Sequence, residues 1–142
     1  MGREVLEVKI KKLDSNAVIP SYFLPGDAGM DITAISRKEV GNFLEYGTGL
    51  AFELPSDYAM LIFPRSSLSN KDLILANHVG VLDSRYRGEL KIRFRQIGDN
   101  IYEIGDRVAQ LIVLPRPYIV FKETDELSVT ERGDGGFGHT GK

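Results

Sequence analysis

Apolar residues recur at every second position along much of this chain. In "VLEVKIKKL", Leu6, Val8 and Ile10 alternate with Glu7, Lys9 and Lys11. In "LAFEL", Leu50, Phe52 and Leu54 share a face, and in "LKIRFRQI", Leu90, Ile92 and Phe94 alternate with Lys91, Arg93 and Arg95. A strand sends successive side chains to opposite faces, so this spacing predicts half-buried β-strands. "YAMLIF" (58–63) and "VAQLIVL" (108–114) are nearly continuous apolar runs and predict strands buried on both faces. "YIVFKE" (118–123) reads as the last strand-like run. Gly, Pro, Asp and Asn punctuate the gaps, as in "LPGDAG", "LPSDY", "QIGDN" and "LPRPY". Short strands with turns between them predict an all-β barrel or sandwich. Only "SSLSNKDLI" has room for a helical turn or two, with Ser66 or Ser67 as its cap.

No linker or repeat divides the chain, so 1–142 reads as one domain, with a core over about 1–124 and an arm over about 125–142. The arm ends in "RGDGGFGHTGK", which holds five of the fifteen glycines. Glycine lets backbone N–H groups approach phosphate oxygens, Arg132 adds a fork of donors, and Phe137 offers a face to a base. That is one reading, a flexible lid over a nucleotide. A solvated tail is the other, and composition alone favours it. Strands buried on both faces also hint that another subunit covers part of the surface.

Composition narrows the chemistry. Net charge is −2, which argues against coating a nucleic-acid polymer by bulk charge. The local cluster Arg85, Arg87, Lys91, Arg93 and Arg95 reads mainly as a solvated strand face. With no cysteine and two histidines, disulfides, zinc–thiolate sites and a cysteine nucleophile are excluded, and any metal is expected to be a hard cation on oxygen ligands. No 18-residue apolar run occurs, so an intracellular soluble protein without a membrane partner is expected, cytoplasmic in the first instance, with nucleus, organelle and infected host cell left open.

Several stretches carry candidate chemistry. In "FPRSSLSNK", Arg65 and two hydroxyls at a helix start suit an anion, and an ordinary capped turn fits equally well. In "NHVGVLDSRYRGEL", Asp83 stands where the chain must turn back toward Leu90; beside arginines it suits a general base that orients a water, or a plain turn former. Tyr86 offers a ring to a sugar. Asp31 follows the turn in "PGDAGMD", and Gln110 within an apolar run needs partners for its amide.

Taken in order, "AGMDI" (28–32), "PRSSL" (64–68), "GVLDSRYRG" (80–88), "GDRVAQLI" (105–112) and "RGDGGFGHTG" (132–141) resemble the five motifs of the trimeric dUTP diphosphatases, the dUTPases. The resemblance implies an all-β, jelly-roll-like β-barrel subunit with a flexible Gly-rich C-terminal arm, assembled as a homotrimer with active sites shared between subunits. It implies Mg²⁺-dependent hydrolysis of dUTP to dUMP and pyrophosphate by water attack on the α-phosphorus. That reaction limits uracil in DNA and supplies dUMP for thymidylate synthesis. By the same resemblance Asp83 would hold the attacking water. Tyr86 would pack under the deoxyribose. Asn77 and the hairpin from Val81 and Leu82 to Lys91 would read uracil. Arg65, Ser66, Ser67 and Gln110 would contact phosphates, and Arg132 the γ-phosphate. Phe137, with Gly138 beside it, would stack on the base. Asp31 would stand behind Mg²⁺ through water.

Three positions depart from the family's commonest pattern: Ser67 replaces a glycine, Arg85 replaces an acid before Tyr86, and His139 replaces a serine. Two other functions compete. A dCTP deaminase-like enzyme shares the fold and nucleotide chemistry. A non-catalytic nucleotide-sensing module would share the binding residues, although it has no need of a positioned Asp83.

Overall fold

The period-two pattern becomes two facing sheets in a computed structural model, which describes residues 4–138. The strands are β1 (Lys9–Lys12), β2 (Met30–Thr33), β3 (Ser36–Val40), β4 (Phe43–Gly47), β5 (Leu50–Glu53), β6 (Tyr58–Phe63), β7 (Leu73–Leu75), β8 (Gly80–Leu82), β9 (Lys91–Gln96) and β10 (Arg107–Pro115). One four-stranded sheet runs β2-β10-β6-β8, the other β3-β4-β9-β7, and β1 pairs with β5. Every pairing is antiparallel. This all-β, jelly-roll-like architecture is the one expected.

Alternation decides which side chains fill the space between the sheets. On β9, Ile92 and Phe94 are buried while Lys91, Arg93 and Arg95 are exposed. Leu44 and Tyr46 of β4, Met60 and Ile62 of β6, and Val108 and Leu111 of β10 join the same core. At its centre Tyr46 meets Phe94 edge-on, with ring centroids 5.6 Å apart, and Tyr102 closes the trio at 5.8 Å from Phe94. The Tyr46 hydroxyl donates to the Tyr102 carbonyl at 2.7 Å. Burial raises the Tyr46 phenol above its ordinary pKa. Arg37, which also donates to the Tyr102 carbonyl, is raised as well, chiefly by its hydrogen bond to Glu103.

Four expectations need correction. First, 118–123 forms no strand: Tyr118 and Phe121 are 87 % and 92 % exposed. The run pairs with no strand among the described residues, so no ladder holds it extended. Second, β6 and β10 are not covered on both faces within one chain. Met60, Ile62 and Leu111 are buried, but Leu61, Ile112 and Val113 are only partly so, and Leu114 is exposed. Third, the helical turn is a 3₁₀ turn, Ser66–Asn70, whose cap position is Arg65 and not a serine, with no side-chain cap. Fourth, Val81 to Lys91 is not a paired hairpin. β8 pairs with β6 and β9 with β4 and β7, so residues 83–90 cross from one sheet to the other.

That crossing is fastened down. The Glu89 carboxylate accepts the Gly49 N–H at 2.9 Å, Thr48 Oγ1 donates to the Leu90 carbonyl at 2.7 Å, and the Leu90 N–H donates to Leu50 at 2.8 Å. Gly49 has φ +68, and a Cβ there would lie 2.7 Å from Ile35 Cδ1, so this tether needs glycine. Among the described residues no helix is long and apolar enough to cross a membrane.

Candidate functional site

The crossing 83–90 forms one lip of an open cleft of about 710 Å³. Asn77, Val81, Leu82, Asp83, Tyr86 and Lys91 all line it. Asn77 stands in the turn between β7 and β8, next to His78, a bulky residue held at φ 61. That left-handed conformation is uncommon for side chains other than asparagine, aspartate and histidine. Asp83 leaves the end of β8, where its backbone carbonyl accepts the Tyr86 N–H and closes a turn. The Tyr86 hydroxyl donates to the Glu89 carbonyl at 2.9 Å, and its ring lies across Gly88. A Cβ on Gly88 would overlap that hydroxyl, so glycine is what lets the ring lie flat. Apolar walls with polar groups and the carboxylates of Glu45, Asp83 and Glu89 suit a small ring-bearing ligand.

A second cluster lies on β2, β10 and the 3₁₀ turn. Arg65 Nε donates to Asp31 Oδ1 at 3.0 Å, and its Nη1 donates to Ser67 Oγ at 3.1 Å and to the Arg107 carbonyl at 3.3 Å. Arg107 Nη1 reaches Asp31 Oδ2 at 3.5 Å, beside a bulge in β10 between Arg107 and Ala109. Gln110 donates to the Pro64 carbonyl at 3.0 Å, which supplies the partner its amide requires. Ser67 Oγ also lies 3.3 Å from the Tyr102 hydroxyl, joining this cluster to the aromatic core. Ser66 lines a shallow groove with Arg65. Arginines with hydroxyls in this arrangement are donors for an anion.

The structure therefore brings the candidate residues together in two groups, not one. None of Asp31, Arg65, Ser66, Ser67 and Gln110 lines the large cleft. The arm forms a third group. Arg116 N–H still bonds the Asp57 carbonyl, but beyond it Arg132 donates to the Gly135 carbonyl within the arm, and Phe137 stands fully exposed. Arg132, Phe137 and Gly138 thus sit at neither group; His139 lies outside the described residues.

Sequence reasoning missed Glu89 and Glu45. Glu89 fixes the crossing, and its signal, an acid after the "YRG" turn, has no periodicity to mark it. Glu45 lines the cleft on an outward position of β4, where a charge looks ordinary, yet it is buried.

The dUTPase family model matches residues 15–141. The chain is 39 % identical to the deoxyuridine 5′-triphosphate nucleotidohydrolase of Syntrophotalea carbinolica, over 97 % of this chain and 99 % of that protein. It is 41 % identical to the enzyme of the same name from Nautilia profundicola, over 96 % and 100 %. The dUTPase of Staphylococcus bacteriophage 80alpha, solved with dUpNHpp, superposes with a TM-score of 0.81 at 27 % identity, covering 96 % of this chain and 99 % of that one. A match of this extent to the family, with relatives alike over their whole length, means that the chain belongs to the dUTPase family.

Proposed function

We propose that this chain hydrolyses dUTP to dUMP and pyrophosphate, with the large cleft holding the nucleoside and the arginine cluster serving the phosphates. The observation that carries the reading is the convergence of Asn77, Val81, Leu82, Asp83, Tyr86 and Lys91 on one cleft. Asp83 holds the water whose oxygen attacks the α-phosphorus. The α–β bridging P–O bond breaks, pyrophosphate leaves, and the water's proton passes to the carboxylate. Alignment and charge placement supply most of the rate, as expected for phosphoryl chemistry. Tyr86, held flat over Gly88, packs against the deoxyribose and leaves no room for a 2′-hydroxyl. Asn77 and the backbone around Val81 and Leu82 take the uracil edge, where a thymine methyl clashes.

The two groups and the detached arm support a site assembled between copies in a homotrimer. Arg65, Ser66, Ser67 and Gln110 then meet the phosphates of a nucleotide seated in a neighbour's cleft. Arg132 and Phe137 close over it, on the γ-phosphate and the base respectively, with the glycines and Gly138 giving the backbone its turn. The half-open faces of β6 and β10 and the bare 118–121 segment are apolar surface for such contacts.

Mg²⁺ fits as an ion carried with the substrate. Among the described residues no group of three or more His, Asp or Glu side chains is poised to hold a metal. Both Asp31 oxygens face guanidinium groups, which supports a role behind the ion through water over direct ligation. When bound, Mg²⁺ neutralises phosphate charge.

The test is pyrophosphate release with Mg²⁺ from dUTP, dCTP, dTTP and UTP in parallel. Turnover of dUTP with little from the other three is expected. Ammonia from dCTP, or nucleotide binding without any release, would overturn the reading.

A further inference from the structure

Glu45 is a buried charge with no part in the reaction described above. Its side chain is only 3 % exposed. Alternation along β4 sends Leu44 and Tyr46 into the core and leaves Glu45 facing outward, directly opposite Arg93 on β9 and Lys38 on β3. Arg93 Nε lies 2.7 Å from Glu45 Oε2, and the Lys38 and Lys91 ammonium groups each lie 3.8 Å from Oε1. The three cations are 49 %, 67 % and 44 % exposed, so they roof the carboxylate and keep their heads in water. Arg95, on the same face of β9, lies over the Phe43 ring at 5.4 Å. Lys91, Arg93, Phe43 and Glu45 all line the same cleft as Asn77 and Tyr86.

Lysine and arginine heads on a cleft wall attract phosphate more strongly than a neutral ring. A triphosphate ligand therefore has two ways to enter: base first, or phosphates first. A carboxylate within 4 Å of each cation cancels part of their field and fixes the direction of their donors. We propose that Glu45 is a positioning residue that sets substrate orientation. It holds Lys91 and Arg93 against the sheet and lowers the positive potential at the nucleoside end, so that this end takes an uncharged, carbonyl-bearing ring and rejects phosphate. The inference rests on reading the cleft as the nucleoside end of the site.

The test uses the full chain as wild type, Glu45→Gln, Arg93→Gln and the double variant. Pyrophosphate and 2′-deoxyuridine are titrated into each by calorimetry, and dUTP turnover is measured beside them. Removing a charge at this range is expected to tighten pyrophosphate binding in E45Q by roughly threefold or more, and to weaken deoxyuridine by a similar factor. KM for dUTP rises while kcat stays within about twofold, because the reacting groups are untouched. R93Q binds pyrophosphate more weakly than wild type, and the double variant returns toward it. A purely structural Glu45 would instead lower the melting temperature without tightening pyrophosphate, and that result overturns the proposal. If E45Q does not fold, R93Q decides alone: unchanged pyrophosphate binding sinks the idea. Binding shifts as expected with no dUTP turnover by wild type would refute the reaction and leave the charge balance standing. Good dUTP turnover with one pyrophosphate affinity in all four proteins would do the reverse.

Discussion

A single atom decides much at the residue scale. Asp83 is proposed as the only carboxylate that acts on the attacking water, so Asp83→Asn is expected to keep nucleotide binding and to lose roughly 10²- to 10⁴-fold in turnover. Parallel binding and rate measurements check this, and near-normal hydrolysis removes Asp83 from the role. Gly88 makes a different point. An added methyl meets the Tyr86 hydroxyl and ring, so Gly88→Ala must lift the ring. The preference for dUTP over UTP in kcat/KM is then expected to shrink about tenfold, since the discrimination is steric. An unchanged ratio would mean that Tyr86 does not read the sugar. Asp83 and Tyr86 stood out in the sequence because their motif is short and contiguous. Glu45 did not, because its burial arises from side chains on two other strands that no local window contains.

Among the elements, β4 and β9 carry the centre of the fold. Period-two spacing was plain in the sequence for β9, and its core face came out as spacing predicts; β4 was not among the stretches so read, and Leu44 to Gly47 are all buried. Tyr46 adds a pH dependence. Its pKa is raised by burial, so the un-ionised phenol is favoured more in the folded than in the unfolded chain. This stabilisation is complete below the ordinary tyrosine pKa of about 10 and is lost as pH climbs through the higher folded value. Urea unfolding is expected to show falling stability above about pH 10, and Tyr46→Phe should flatten that fall. In the variant the Tyr102 carbonyl still accepts from Arg37 at 2.9 Å, so no buried acceptor is orphaned. A fall of equal size in the variant would assign the effect elsewhere. Partnerships between elements were harder to read than the elements themselves. The run from Val81 to Lys91 suggested a hairpin because its two strands are neighbours in sequence, whereas jelly-roll-like topology sends them to different sheets. The 118–123 run has strand-like residues but pairs with no strand among the described residues.

Viewed whole, the molecule is a folded body with a long appendage. Among the described residues the last strand ends at Pro115, and the hydrogen bonds beyond Arg116 stay within the arm. Truncation before Arg132 is expected to leave the fold and assembly intact and to lower dUTP turnover at least tenfold, as loss of a closing segment does. Light scattering should give three times its own chain mass for each protein, 15.8 kDa per chain for the full-length one and less for the truncated one. A tail-less protein as active as the full chain would rule out a role in closure.

Among its described residues the arm makes no hydrogen bond to the body of its own chain beyond Arg116, and this has a consequence for mixtures. A copy lacking the arm still carries a sound Asp83, and a copy with Asp83→Asn still carries a sound arm. Each pure protein is expected to turn over dUTP weakly. Co-expressed, the two defects fall in different chains, and some sites in a mixed assembly inherit one intact part from each. Two weak variants should then restore activity to one another. Equally weak turnover by the mixture, with mixed assemblies verified by mass, would place each arm over its own chain's cleft.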